Sequence, residues 1–407
     1  MTDDVTTGPL RGIRVLDLAD GMGLYCTKML AGLGADVIKV EPPGGDGSRD
    51  IGPFYKDEPH REKSLFWFHF NANKRGITLN LQTPEGRELF KRLAATADIV
   101  VETSPPGAME EEGIGWSALS SLNPRLIFAS LTPFGQEGPW KNYQASDLVG
   151  NALGGLLNNC GWPGKAPEKL GGSQAYHMAS VQATTGILMA LYQRTKTGQG
   201  RHIDVSMHAS VPVTLMVTVP LYERTGKMTG RAWNWHAEAA NGVFPCKDGY
   251  IDFRLRLQRW DDFIRWLDRD GLAEELKGEE WKDPWFRQVP ENVRKIDAVF
   301  CQFLLRHGKQ ELYEDGQKRG FEIGPAYTIP EVAASKQLRA RNYFMPVEHP
   351  ELGETLEYLG PPFRSSLAPG QAMRRAPLIG EHNESIYEEE LGLSREQVIR
   401  LADAGVI

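Results

Sequence analysis

Between residues 13 and 40 the hydrophobic period of this chain changes twice. Ile13 to Leu18 (IRVLDL) is a short apolar run, the length of one buried strand. Gly21-Met22-Gly23 forms a tight turn. Leu24 to Leu33 then carries apolar residues at Leu24, Met29, Leu30 and Leu33, the spacing of a helix face, and Gly34 ends it. Asp36 to Val40 (DVIKV) is a second strand. Strand, helix and strand in so few residues make a βαβ unit, the building block of a parallel sheet. Further strands are expected at Ile77 to Leu81, Asp98 to Val101 and Leu126 to Leu131. Between the first two, Thr83 is a good N-cap, Pro84 a good first helical residue, and Leu89, Phe90 and Leu93 give a buried stripe. The fold class expected is α/β, with a large Rossmann-like open-sheet domain and a smaller α+β domain.

A chain of 407 residues has room for two or three domain-sized units. Its net charge of -7 speaks against a nucleic-acid partner. The four cysteines, Cys26, Cys160, Cys246 and Cys301, are scattered without a CxxC pair, so neither a metal site nor a disulfide framework is expected. Reduced thiols and a polar, acidic start at Met1 to Gly8 fit a cytoplasmic protein. No apolar run approaches the roughly 18 residues that a membrane span needs, so no membrane partner is expected.

Composition shifts in the middle of the chain. Six of the ten tryptophans, Trp233, Trp235, Trp260, Trp266, Trp281 and Trp285, fall between Tyr222 and Pro330. Val243 to Phe253 reads as a hairpin turning at Lys247 to Gly249. Gln258 to Leu267, Val293 to Leu305 and Lys309 to Arg319 read as amphipathic helices. The expected division is therefore 222–330 as an inserted domain, with 1–221 and 331–407 forming the larger, discontinuous one. The tryptophans either fill a core or line an acyl pocket. From Thr328 onward a capped helix, a β-rich segment and two short helices are expected to return to the first domain.

Several residues are candidates for chemistry. Gly21 and Gly23 follow a strand and Glu41 ends the next one, as in a nicotinamide site, but Cys26 stands where the third glycine belongs, which favours a plain turn. The loop Pro42 to Asp50 (PPGGDGSRD) offers backbone N–H groups flanked by Lys39 and Arg49, an arrangement suited to phosphate. Lys74 and Arg75 either face an anion or are a solvated pair. Ser146 to Leu157 reads as a helix containing Asp147, and a long helix from about Tyr176 to Thr195 begins with His177, a candidate base or a core histidine. Tyr176, with an ordinary pKa of about 10, is a poor nucleophile.

The run GADVIKVE, then GGD and an arginine, the block NANKRGITLNLQTPEGRELFKRL from Asn71 to Leu93, and the turn TGQG after the long helix stand in the order found in one family. In these respects the chain, from Leu10 to Ile407, resembles the family III CoA-transferases, the CaiB/BaiF family that includes formyl-CoA transferase. The resemblance implies an open α/β domain, a smaller inserted domain and two subunits threaded through each other. It implies coenzyme A, bound as an acyl-CoA substrate and held by Gly23, Lys39, Arg49, Lys74, Arg75 and Thr103. It also implies a catalytic aspartate just before the long helix. Counting back from Gly186 and the TGQG turn, that position is Tyr176, and no Asp or Glu occurs between Lys169 and Gly200. Other departures run the same way: Thr103-Ser104 replaces an Asn-Phe pair, Met109 to Glu112 (MEEE) brings acids where an arginine is expected, and Ser146 stands where the racemase branch has a histidine. Three functions follow as expectations. The first is a subunit of a heterodimeric or heterotetrameric CoA-transferase of the benzylsuccinate type, with a paralogous subunit supplying the aspartate, succinyl-CoA as donor and an aromatic dicarboxylate as acceptor. The second is a homomeric acyl-CoA isomerase, racemase or dehydratase using His177 or Asp147 as base. The third is a silent CoA-binding or scaffold protein.

Overall fold

The computed structural model describes residues 8–162, 164–228, 230–231, 238–366 and 373–407. The chain divides into two compact units, one made of Met1–Leu157, Lys169–Pro220 and Arg339–Ile407, the other of Asn158–Glu168 and Leu221–Leu338. The segment 158–168, expected in the larger unit, goes with the smaller one, and the return to the larger unit comes at Arg339.

In the larger unit the expected alternation is present. It runs β1 (Arg14–Leu18), α1 (Leu24–Gly32), β2 (Asp36–Glu41), α2 (Leu65–Asn71), β3 (Arg75–Thr78), α3 (Pro84–Thr96), β4 (Ile99–Glu102), α4 (Ala108–Glu111), α5 (Trp116–Leu122), β5 (Ile127–Thr132), α6 (Asp147–Leu153), α7 (Gln174–Thr197) and β6 (Arg201–Ser206). The short α8 (Met207–Ser210) follows, and α9 (Thr218–Thr225) begins in this unit and ends in the smaller one. The six strands form one parallel sheet in the order β3-β2-β1-β4-β5-β6. The order reverses between β1 and β4, whose register pairs Val15 with Ile99.

Successive strand residues point to opposite faces, and both faces are apolar because helices cover both. Val15, Val37, Ile99, Val101 and Ile127 pack beneath α1 and α7, which contribute Leu30, Ala179, Ala183 and Ile187. Leu16, Ile38, Val100 and Phe128 face the other way, against Leu89, Phe90 and Leu93 of α3 and against Ile386, Tyr387, Val406 and Ile407 from the C-terminal segment. The Thr83 hydroxyl accepts from the Gly86 N–H at 3.0 Å, as the N-cap reading requires. Strand β3 is shorter than the expected 77–81 and starts earlier, because Asn80 and Leu81 turn the chain toward that cap.

The C-terminal segment does return to this unit. The Asn80 N–H donates to the Val406 carbonyl at 2.7 Å, the His382 N–H to that of Gly76 at 2.9 Å, and the Tyr387 hydroxyl to that of Thr78 at 2.7 Å.

The smaller unit holds β7 (Asn241–Cys246), β8 (Gly249–Arg254), α10 (Trp260–Asp268), α11 (Pro284–Arg287), α12 (Pro290–Leu304), α13 (Lys309–Lys318), β9 (Glu322–Pro325) and α14 (Ile329–Ala333). Its three strands are antiparallel, and the β7–β8 hairpin closes with Cys246 opposite Gly249. Trp260, Trp266 and Trp281 are buried with Phe253, Phe263 and Phe300, so these tryptophans are core and not the walls of an acyl pocket. Trp285 is 77% exposed, and Trp233 and Trp235 lie outside the described residues. Helix α15 (Lys336–Ala340) leads to a second hairpin, β10 (Phe344–His349) with β11 (Glu354–Leu359), which packs Val347 and Tyr358 against Trp67 and Phe68 of α2. A π-helical turn at Ser385–Glu390 and α16 (Arg395–Asp403) end the chain. Among the described residues no helix is long and apolar enough to cross a membrane.

Candidate functional site

Where neighbouring parallel strands send their connections to opposite sides, a crevice opens at their C-terminal ends, and ligands of open α/β sheets bind there. In this chain that place lies beyond Leu18 of β1 and Glu102 of β4. Asp20 N–H donates to the Thr103 hydroxyl at 2.8 Å, and the Ser180 hydroxyl of α7 donates to the Met22 carbonyl at 2.8 Å. The two bonds tie the β1–α1 turn to β4 and to the long helix. Gly23 is required by space: a Cβ there would lie 2.6 Å from the Ala19 Cβ and 3.0 Å from the Thr103 Cγ2. Two residues expected to hold the ligand, Gly23 and Thr103, are thus brought together at this crevice.

The expected cationic ligands are not. Lys39 is fully buried; its ammonium donates to the Ala19 carbonyl at 2.5 Å and lies 3.9 Å from Asp17 and 3.8 Å from Asp46. Lys74 donates to Asp17, the Thr27 hydroxyl and Asn71, each at 2.8 Å, which uses all three of its protons. Burial works to raise the Asp17 carboxyl, but Lys74 and Lys39 outweigh it and hold it below the usual carboxylate range. Arg49 is also fully buried. It grips both oxygens of Glu41 at 2.6 and 2.8 Å, reaches Glu62 at 2.5 Å, and stacks 3.7 Å over the Trp67 ring. Arg75 grips Asp36 at 2.9 and 2.6 Å and pairs with Glu390 at 2.5 Å. The phosphate reading of Lys39, Arg49, Lys74 and Arg75 is therefore corrected: internal carboxylates already take up their charge and their donors. The nicotinamide reading fails for the same reason, because Glu41 is spent on Arg49. The acids at Met109 to Glu112 are partly neutralised, Glu112 pairing with Arg87 at 2.6 Å and Glu110 accepting from the Ser117 N–H at 3.0 Å.

The first turn of α7 carries the question of the missing nucleophile. The helix starts at Gln174, two residues before the expected point, so Tyr176 sits inside its first turn and Gly171-Gly172-Ser173 forms the approach. That turn contains no acid, and the Ser173 side chain does not cap it. A carboxylate arrives through space instead. Asp147, in the first turn of α6, accepts from the N–H of Ala175 at 2.8 Å and of Tyr176 at 3.3 Å, and Lys169 lies 3.6 Å away. Free helix N–H groups attract an anion, which explains why a buried aspartate is tolerated here. Asp147 is thus a cap, and its role as a base is corrected on that ground: the two backbone N–H groups hold its carboxylate in the helix mouth.

Burial, followed by the charge of Asp20, raises the Tyr176 phenol above its ordinary value, so it stays protonated at neutral pH. Burial lowers the His177 imidazole despite an opposing pull from Asp147, so it is neutral at pH 7. Its ring lies 5.1 Å from that of Tyr25 and 5.9 Å from that of Phe70. Burial likewise pushes the Cys26 thiol up to about 12, which removes it as a nucleophile. The four cysteines are free, and among the described residues no three His, Cys, Asp or Glu side chains are grouped to hold a metal ion.

Sequence reasoning missed Asp20, an exposed carboxylate at the crevice, and Lys28 with His69, which meet beside His177. The signal for the pair was a lone lysine in the otherwise apolar LYCTKMLAG of α1 and a lone histidine inside the aromatic LFWFHFN of α2.

The family model for CoA-transferase family III matches residues 10–383. The succinyl-CoA:(R)-benzylsuccinate CoA-transferase subunit BbsE of Thauera aromatica is 34% identical over 382 residues, 92% of this chain and 93% of that one. The succinyl-CoA–D-citramalate CoA-transferase of Chloroflexus aurantiacus is 32% identical over 98% of each chain. Among solved structures, a CaiB/BaiF family protein from Brucella suis superposes with a TM-score of 0.84 at 30% identity, covering 94% of this chain and 99% of that one.

Proposed function

The chain belongs to CoA-transferase family III, and from that premise we propose that it is one subunit of a heteromeric CoA-transferase whose catalytic aspartate comes from a paralogous subunit. The observation that carries this reading is the first turn of α7, where a phenol stands in place of an acid and the carboxylate that does reach the turn is spent as its cap. The donor is an acyl-CoA, with succinyl-CoA favoured because three relatives are named for it. The acceptor is a carboxylic acid, and the similarity to the BbsE subunit favours an aromatic dicarboxylate. Coenzyme A enters at the crevice lined by Gly23 and Thr103.

The chemistry explains why a carboxylate is indispensable. An aspartate oxygen attacks the thioester carbonyl, CoA leaves as thiolate, and a mixed anhydride forms. The thiolate returns to the aspartyl carbonyl, releasing the donor acid and leaving an aspartyl thioester. The acceptor carboxylate then attacks that carbonyl and expels the thiolate to form a second anhydride, and the thiolate attacks its acceptor carbonyl, giving the new acyl-CoA and freeing the aspartate. Each intermediate keeps the thioester energy. Burial keeps the Tyr176 phenol protonated, and a phenol has no carbonyl carbon of its own to which CoA could return as a thioester, so it cannot run this relay.

The homomeric isomerase, racemase or dehydratase reading has less support, since it keeps only a neutral His177 as base once Asp147 is spent. A silent binding protein is the remaining reading. The test is expression of the chain alone and together with a paralogue that has aspartate before the long helix. Succinyl-CoA-dependent transfer by the pair, with an acyl adduct mapped by mass spectrometry to the paralogue, is expected. Transfer by the lone chain at the rate of the pair, or an adduct on this chain, would overturn it.

A further inference from the structure

Beside the first turns of α1 and α7, five partly exposed side chains from three helices of the larger unit converge: Tyr25 and Lys28 of α1, His69 and Phe70 of α2, and His177 of α7. The Lys28 ammonium lies 3.2 Å from Nδ1 and 3.0 Å from Nε2 of His69, and 5.9 Å from the centre of the Phe70 ring. The Tyr25 and Phe70 rings meet edge to face at 6.3 Å, with His177 closing the third side. Among the described residues no carboxylate lies within ion-pair distance of Lys28. Lys39 and Lys74, the other lysines drawn into this end of the unit, each face Asp17.

A half-buried ammonium without a counter-ion is costly unless something supplies the charge. Burial, then Lys74, pulls the Lys28 pKa down to about 7, and burial, then Lys28, pulls that of His69 to about 4. Facing the cluster from other elements are Lys74, whose charge Asp17 offsets, Tyr343, which burial and then Tyr25 keep protonated, and Asp147 of α6, which acts on His177. The arrangement is one ammonium between aromatic faces, with a neutral imidazole beside it. It lacks the row of cations that a pyrophosphate would need. It suits one carboxylate on a molecule with a flat apolar body, which forms a charge-assisted hydrogen bond while its ring packs edge to face.

We propose that the cluster of Lys28, His69, Tyr25, Phe70 and His177 binds the acceptor through the carboxylate that does not react, and that the acceptor is an aryl-substituted dicarboxylic acid. The ammonium of Lys28 is the partner of that carboxylate, which displaces His69 from it. The assignment to an acceptor rests on the transferase reading; the anion site itself rests on the geometry. Binding an anion favours the charged amine, so a proton is taken up and affinity declines as pH rises above 7.

The experiment is calorimetric titration of the purified chain with benzylsuccinate, and separately with 3′-phospho-ADP, at pH 6.5 and 8.5. Expected is benzylsuccinate binding that weakens about tenfold between the two pH values and at least tenfold in Lys28→Met. In Lys28→Arg, which stays charged, binding persists and its pH dependence disappears. The affinity for 3′-phospho-ADP is expected to be unchanged in Lys28→Met. The proposal is overturned if benzylsuccinate does not bind the native chain, if its affinity survives Lys28→Met, or if 3′-phospho-ADP loses affinity in parallel. Because the titration needs no turnover, its failure leaves the subunit reading standing, and inactivity of the pair leaves the titration readable.

Discussion

Asp147 and Asp17 are both buried aspartates, and they do different work. Asp147 satisfies two of the N–H groups that the start of α7 leaves open, so Asp147→Ala should cost about 1–2 kcal/mol, the usual value of a lost cap. Chemical denaturation measures that loss, and transfer by the pair should fall only with the folded fraction. A complete loss of activity at unchanged stability would instead make Asp147 a reacting group. Asp17 neutralises two interior lysines, so Asp17→Asn leaves Lys74 buried and unpaired and should cost about 3–5 kcal/mol. Its carboxyl is held below its unfolded value, so the stability it supplies is present above the ordinary aspartate range and is lost as pH falls through the folded pKa. Acid unfolding of Asp17→Asn should accordingly show a shallower pH dependence than that of the native chain.

At the scale of the element, the two margins of the parallel sheet are treated differently. Strand β3 is sealed by the C-terminal segment: the Gly76 N–H donates to His382 Nδ1 at 3.1 Å and the Thr78 N–H to Asn383 Oδ1 at 2.9 Å. Strand β6 ends the sheet on the other side, with no further strand beside it among the described residues. An open margin is a template for pairing or packing unless something covers it. The entry of β6 is also tight: a Cβ on Gly200 would lie 1.8 Å from the Leu126 carbonyl oxygen. The obstacle is backbone and cannot rotate away, so Gly200→Ala should destabilise the chain by at least about 2–3 kcal/mol, read as a lower denaturation midpoint.

At the scale of the whole molecule, the long helix and the last strand leave apolar surface uncovered. Met189 is 66% and Tyr192 65% exposed beside Ile203 of β6, and Met216 and Val217 further along are 79% and 71% exposed. Apolar surface such as that at Met189, Tyr192 and Ile203 marks an interaction site. In a heteromer it would be covered by the paralogue. The double variant Met189→Asp/Tyr192→Asp should therefore separate the pair in size-exclusion chromatography. The stability of the chain itself should change by less than about 0.5 kcal/mol, as at exposed positions generally. Co-elution of the variant pair at the native position would refute that placement.

The local pattern of the chain determined most of its fold. Period-2 and period-3.6 apolar runs broken by the Gly21–Gly23 turn, Gly34 and the Thr83-Pro84 cap specify βαβ units whatever surrounds them, because backbone sterics and the burial of one face act over a few residues. The order of motifs was enough to identify the family, and the sequence alone shows that the long helix begins without an acid. What only the tertiary structure decided is where the charges go. Lys39, Arg49 and Lys74 read as ligand-binding cations along the chain. The fold turns them inward onto Asp17, Glu41 and Glu62, since a buried cation needs a carboxylate within a few ångströms and sequence separation says nothing about that distance. Asp147 and Tyr176 are 29 residues apart, and only the packing of α6 against α7 makes one the cap of the other's helix. Lys28 was the reverse case: an unremarked residue in an apolar helix, left without a counter-charge by folding.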